Sequence, residues 1–167
     1  MKGIAIGVNN TRLFLLSSWL GAAVFFSVVV APAVFGTLHA FNVVNANEIA
    51  GTIVTRSLAV VNLSGFVISL MALALTIIAE RIKHQLSYFP TNAAFLVMAV
   101  STGAGQWVIA AKMRALRVSM AVIDQVPFDD PRRVAFNSLH HYSVILLAAA
   151  MCAAIVAMLL TRIRPAK

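Results

Sequence analysis

Residues 13–35, 57–79, 92–111 and 134–161 contain no Asp, Glu, Lys or Arg and are dominated by apolar side chains. Each is about 20 residues or longer, enough for an α-helix to cross a hydrocarbon core about 30 Å thick. With 61% hydrophobic and 11% charged residues, the chain has too little polar surface to cover a water-soluble fold. Lipid offers backbone N–H and C=O groups no partners, so runs this long must satisfy their own as helices rather than as short tilted barrel strands. The expected fold is all-α, an integral membrane four-helix bundle forming one four-span domain over residues 1–167. The formal charge of +8 falls at span ends, where anionic headgroups attract it, so the bilayer and not nucleic acid is the expected partner. Cys152 is the only cysteine; deep in the fourth span, it is expected to pack as a small apolar residue.

Lys2 and Arg12 precede the first apolar run, and Ala31-Pro32-Ala33 loosely imitates a cleavage site. The run exceeds a signal-peptide core and Pro32 suits a cut poorly, so it is read as a retained span. Pro32 is expected to kink or end helix one, with the chain leaving the membrane near Gly36. Asn45-Ala46-Asn47-Glu48 has the form of a capping box opening helix two. That helix should run through Arg56 and Asn62 to the cluster Glu80, Arg81, Lys83, His84, after which Tyr88, Phe89 and Pro90 form an interfacial turn. Helix three carries Lys112, Arg114 and Arg117 at its end, and Leu116, Met120 and Ile123 extend an apolar stripe beyond the bilayer. Asp130 as N-cap and Pro131 at the first helical position start helix four.

Lys and Arg near span ends divide seven to six: Lys2, Arg12, Arg81, Lys83, Arg162, Arg164 and Lys167 against Arg56, Lys112, Arg114, Arg117, Arg132 and Arg133. The flanks of the first helix tip the expectation toward cytoplasmic termini.

Four spans place the first and third connections on one side of the membrane, so His39, Glu48, Arg56, His140 and His141 share a face. Arg56 lies within a helix near a span boundary, where it must snorkel or be compensated, by Glu48 or by the polar start of helix four. His140 and His141 are candidate metal ligands with His39, but adjacent helical residues point about 100° apart and one of the two is expected to face the bundle. The recognisable ligand spacings are missing, and hydrogen bonding between helices explains such histidines equally. Asn62 and Gln106 are candidates for an interhelical hydrogen bond or a narrow polar route. Ser17 with Gly21, and Gly65 with Ser69, have the small-residue spacing of close helix contacts. Trp19 and Trp107 fit an aromatic belt or core packing.

Trp19-Leu20-Gly21, Ala31-Pro32-Ala33-Val34-Phe35, Asn47-Glu48 through Gly51, and Pro131-Arg132-Arg133 with Phe136, Leu139, His140 and Ser143 form a pattern spanning nearly the whole chain. It resembles the bacterial domain of unknown function 4149 family, related to eukaryotic transmembrane protein 205. His141 departs from that pattern, where a basic residue such as Arg is expected. The resemblance implies a four-helix protein of the bacterial inner membrane without an established activity and supplies no catalytic residues. Any site it marks involves Pro32, Phe136, His140 and Ser143.

Three function classes follow. The first is a non-enzymatic membrane protein that acts as a scaffold or handles a solute or metal, with homo-oligomers as one form. The second is a metal- or haem-binding bundle akin to copper-resistance membrane proteins; no cofactor is specified by the sequence. The third is an enzyme, such as a quinone-linked thiol oxidoreductase of four spans, but that chemistry needs paired cysteines, which Cys152 alone cannot supply. Intramembrane hydrolysis lacks an Asp pair, a Ser-His arrangement and a His-Glu-x-x-His motif.

Overall fold

A computed structural model describes residues 2–83 and 89–163. Within them the chain is helical throughout, without strands, and forms four long helices joined by short connections. Helix α1 covers residues 2–40, α2 Ala46–Lys83, α3 Phe89–Met120 and α4 Pro131–Ile163. All four are long and apolar enough to cross a membrane. Only 22–39% of their most apolar windows is buried by the rest of the chain. Side chains such as Phe25, Val28, Val60, Val100 and Ile145 stand exposed, which places the protein in a lipid bilayer rather than in water.

The helices extend beyond the charge-free runs because a helix does not stop where hydrocarbon stops. Its backbone remains satisfied in the headgroup layer until a capping signal ends it. The helix accordingly continues past Gly36 and is not ended by Pro32. A π-turn at Phe26–Val30 directly precedes it, with Ala31 donating its N–H to the carbonyl of Phe26. The wider turn accommodates the proline's missing donor, and helix resumes over Ala31–Ala40. The end comes at Asn42, at φ 50°. Val43 N–H bonds Leu38 O and Asn42 N–H bonds His39 O, each at 3.0 Å, the two reciprocal bonds of a Schellman cap with asparagine at the left-handed position. A second π-turn, Ala104–Ile109, interrupts α3.

The core is built from size complementarity. Ala150, Ala153, Ala154 and Ala157 give α4 a small-residue edge, while Phe95 and Met98 of α3 and Leu16 and Trp19 of α1 fill the space it leaves. Trp19 is a core residue: its indole donates to Val61 O at 2.9 Å, and its ring lies so close to Gly65 that a Cβ there would approach it to 2.7 Å. Gly65 and buried Ser69 thus fulfil the expected small-residue contact. Ser17 and Gly21 do not. Both are exposed on α1, and Gly21 has open space around it. Cys152 is likewise exposed rather than packed, because the 3.6-residue period turns it away from the Ala150–Ala154 edge. Trp107 is half-exposed and meets Phe66 edge-to-face at 4.8 Å.

Arg12 is buried. Its guanidinium donates to Thr76 of α2 and Asn9 of α1, where its position in the chain indicated only a membrane entrance. The side chains of the Glu80, Arg81, Lys83, His84 cluster, and Tyr88 of the expected turn, lie outside the described residues. Phe89 and Pro90 already belong to α3.

Candidate functional site

The polar residues of the first and third connections meet at one end of the bundle. Asn45 precedes α2 with φ 57°, outside the extended geometry that lets an N-cap side chain bend over its own helix. The capping box therefore does not form, and the cap arrives from elsewhere in the chain. After α3, Ala121 adopts φ 57° and ψ −72° with Val122 N–H bonded to Met120 O at 2.8 Å, a strained γ-turn that reverses the chain. The 3₁₀ turn Ile123–Gln125 follows. It delivers Asp124 to the start of α2, where one carboxylate oxygen accepts from Glu48 N–H at 3.0 Å and the other from the Asn47 amide at 2.6 Å. A negative charge on free N–H groups at a helix start is favourable in both hydrogen bonding and dipole terms.

Glu48 turns from its own backbone toward α3. Its Oε1 lies 3.5 Å from Arg117 Nε, a charge contact longer than a hydrogen bond, and its Oε2 accepts from Ile123 N–H at 3.4 Å. Arg117 also approaches the Thr52 hydroxyl at 3.4 Å and lies 5.6 Å from the Phe136 ring centroid. The Nη2 end of its guanidinium fills the space beside Gly51: a Cβ there would sit 2.0 Å from Nη2. Beside this lock, Met120, Ile123 and Val126 form a small apolar cluster with Leu116 and Phe136. Residues 47, 48, 51 and 136 were singled out by the sequence, but Arg117 and Asp124 were not given roles. The only available signal for them was an arginine within the apolar stripe Leu116–Met120–Ile123.

Helix α4 starts as expected. Asp130 caps it, accepting from Arg132 N–H at 2.8 Å, while the Arg132 guanidinium returns to the same carboxylate at 2.8 and 3.1 Å and to Ser119 O at 2.7 Å. These bonds from Arg132 lower the Asp130 pKa to about 2. Arg133 donates to Val126 O and stacks on Phe128 at 3.8 Å.

The remaining candidates stand apart from this lock. Arg56 is exposed on α2, and Glu48, its suggested partner, is engaged by Arg117. Pro32 is exposed on α1, and Ser143 is buried on α4. His39 is exposed and bonds Phe35 O at 2.7 Å, within its own helix. His140 and His141 both keep exposed surface, with ring centroids 6.4 Å apart; His140 lies on the helix face of buried Ser143 and Leu147, while His141 Nδ1 lies against Asn137 O at 2.9 Å. Among the described residues no three His, Cys, Asp or Glu side chains gather as a metal site, so His39, His140 and His141 do not converge. Asn62 is buried against Gly105, whose added Cβ would lie 3.2 Å from the amide nitrogen. No hydrogen bond joins Asn62 to Gln106 among the described residues; the π-turn that brings Gly105 against Asn62 leaves Gln106 Oε1 buried without a hydrogen bond.

The family model for a domain of unknown function, DUF4149, matches residues 14–121. The chain belongs to the DUF4149 family. The matched segment holds Pro32, Glu48, Gly51 and Arg117 but ends before Asp124 and α4. The Phe136, Leu139, His140 and Ser143 pattern thus lies outside it. No curated protein and no solved structure matches the chain.

Proposed function

We propose that this DUF4149 protein is a non-enzymatic membrane scaffold, held in the inner membrane of a bacterium with both termini cytoplasmic. The observation behind this reading is how the polar groups at the connection end are used. Glu48, Asp124 and Asp130 each bind an arginine or cap a helix. A carboxylate whose oxygens already face an arginine or helix N–H groups serves as a strut and has little acceptor capacity left for a substrate. The lock joins the start of α2, the end of α3, the following loop and the start of α4. A rigid end with long lipid-facing helices is the form a docking platform requires, for further copies of the chain or for another membrane protein. Four spans enclose little volume, so a solute path in such a protein would run between protomers.

Metal or haem binding through His140 and His141 has less support, since each ring is exposed and His141 is engaged by its own helix. Elemental analysis and an absorbance spectrum of the detergent-purified protein separate the two readings, with a His140→Ala, His141→Ala double variant as control. A scaffold contains no stoichiometric metal or haem band and migrates as a defined assembly. Metal or haem at one equivalent, lost in the variant, would replace the scaffold with a binding protein.

A further inference from the structure

Polar side chains inside the spans differ in how they are satisfied. Buried hydroxyls and the Trp19 indole give their protons to backbone carbonyls: Ser69 to Phe66 O, Thr76 to Ala72 O and Thr102 to Met98 O at 2.8 Å, and Trp19 to Val61 O at 2.9 Å. The amides of Asn62 on α2 and Gln106 on α3 have no such arrangement. Asn62 is 4% exposed, and among the described residues its amide makes no hydrogen bond. Gln106 Oε1 is buried and accepts none.

Both residues stand at the π-turn Ala104–Ile109. Asn62 Nδ2 lies 3.2 Å from where a Cβ of Gly105 would sit, and Gln106 is the next residue in the turn. The turn itself adds a polar group. Ala110 donates its N–H to Gly105 O, whereas α geometry would direct it to the Gln106 carbonyl. Gln106 therefore brings two acceptors, its Oε1 and the backbone carbonyl that Ala110 bypasses, and the Asn62 amide brings two donors beside them. Exposed Arg56 lies six residues nearer the connection end than Asn62, so the amide sits about 9 Å deeper along α2. Lipid supplies no partner at that depth, and a buried acceptor left bare is costly.

We propose that an ordered water is bound inside the bundle at the α3 π-turn, donating to Gln106 Oε1 and the Gln106 carbonyl and accepting from the Asn62 amide. Two acceptors and a donor match the partners a buried water ordinarily takes. Ordered water is also a common means by which membrane helices satisfy the backbone groups that irregular turns release. The site gives Gly105 its role: without a side chain, the turn can approach the Asn62 amide. This proposal is independent of the scaffold reading.

Nuclear magnetic resonance tests it on the full chain, labelled with nitrogen-15 and held in deuterated detergent micelles. Asn62→Leu and Gln106→Leu assign the two side-chain NH2 groups, and cross-relaxation from water is recorded in the laboratory and rotating frames. Opposite signs in the two frames identify bound water, and equal signs identify proton exchange. Both NH2 groups should show bound water, while the backbone N–H groups of lipid-facing Val60, Leu63 and Val100 show none. The Asn62 signal should fall several-fold in Gln106→Leu, which removes one of the acceptors holding the water. In the unaltered protein, absence of a water signal at both NH2 groups, or a signal of exchange sign alone, overturns the proposal whatever the variants do. Equal water signals at Val60, Leu63 and Val100 also overturn it, because general hydration of the micelle would then be the source. An Asn62 signal unchanged in a folded Gln106→Leu protein overturns the shared site.

Discussion

Replacing Gly51 with alanine tests the lock at its narrowest point. In an ordinary helix interior, glycine to alanine gains about 1 kcal/mol. Here the new methyl would sit 2.0 Å from Arg117 Nη2, so the guanidinium must leave its seat. It then loses the Glu48 contact, which joins side chains only 17% and 22% exposed and is worth about 1 kcal/mol. It also loses the Phe136 face, worth about 0.5–1 kcal/mol; the 3.4 Å approach to Thr52 adds little. Together these losses come to roughly 2 kcal/mol, so Gly51→Ala should destabilise the bundle by a net ~1 kcal/mol. In an Arg117→Ala background nothing occupies the space, and the same substitution should stabilise by about 1 kcal/mol. The change of sign, a coupling of roughly 2 kcal/mol, is measurable as a double-mutant cycle from SDS-induced unfolding in mixed micelles followed by circular dichroism. Stabilisation by Gly51→Ala in the wild-type background would refute the account of Arg117 as a seated strut.

Removing the cap from α2 by Asp124→Ala should cost about 1–2 kcal/mol in the same assay, because Glu48 N–H and the Asn47 amide lose their acceptor. Relief of the γ-turn by Ala121→Gly should raise stability by about 0.5–1 kcal/mol, the strain relieved exceeding the entropy glycine adds to the unfolded chain. Asp130 supplies the pH dependence. Its pKa falls from 3.8 to about 2 on folding, so its contribution is fully present above pH 4 and disappears as pH drops through about 2. Thermal melts of Asp130→Asn should lack that component of the acid loss between those limits; an unchanged acid slope would show that the α4 cap carries no linkage.

The fold was legible because each transmembrane segment answers to a local constraint. A charge-free run of about 20 residues must satisfy its backbone internally wherever it enters lipid, and that holds for α1 to α4 whatever their neighbours. Caps made within a few residues were legible for the same reason: Asp130 and Pro131 start α4 as their order implies. Contacts across the chain were not. Asn45 and Glu48 have the spacing of a capping box, but Asn45 adopts φ 57° and the cap comes from Asp124, 76 residues beyond Glu48. The same limit applies to Ser17 and Gly21, whose small-residue spacing is identical to that of Gly65 and Ser69. Only Gly65 and Ser69 are packed inside the bundle, Gly65 beneath Trp19. Sequence by itself determined that this chain is a membrane bundle of four helices, through backbone hydrogen bonding and apolar length, which act residue by residue. Tertiary structure alone decided which charges are struts and which face lipid. Arg117 and Arg114 lie three residues apart on one helix, and their roles diverge only because Gly51 and Glu48 of another helix stand before Arg117.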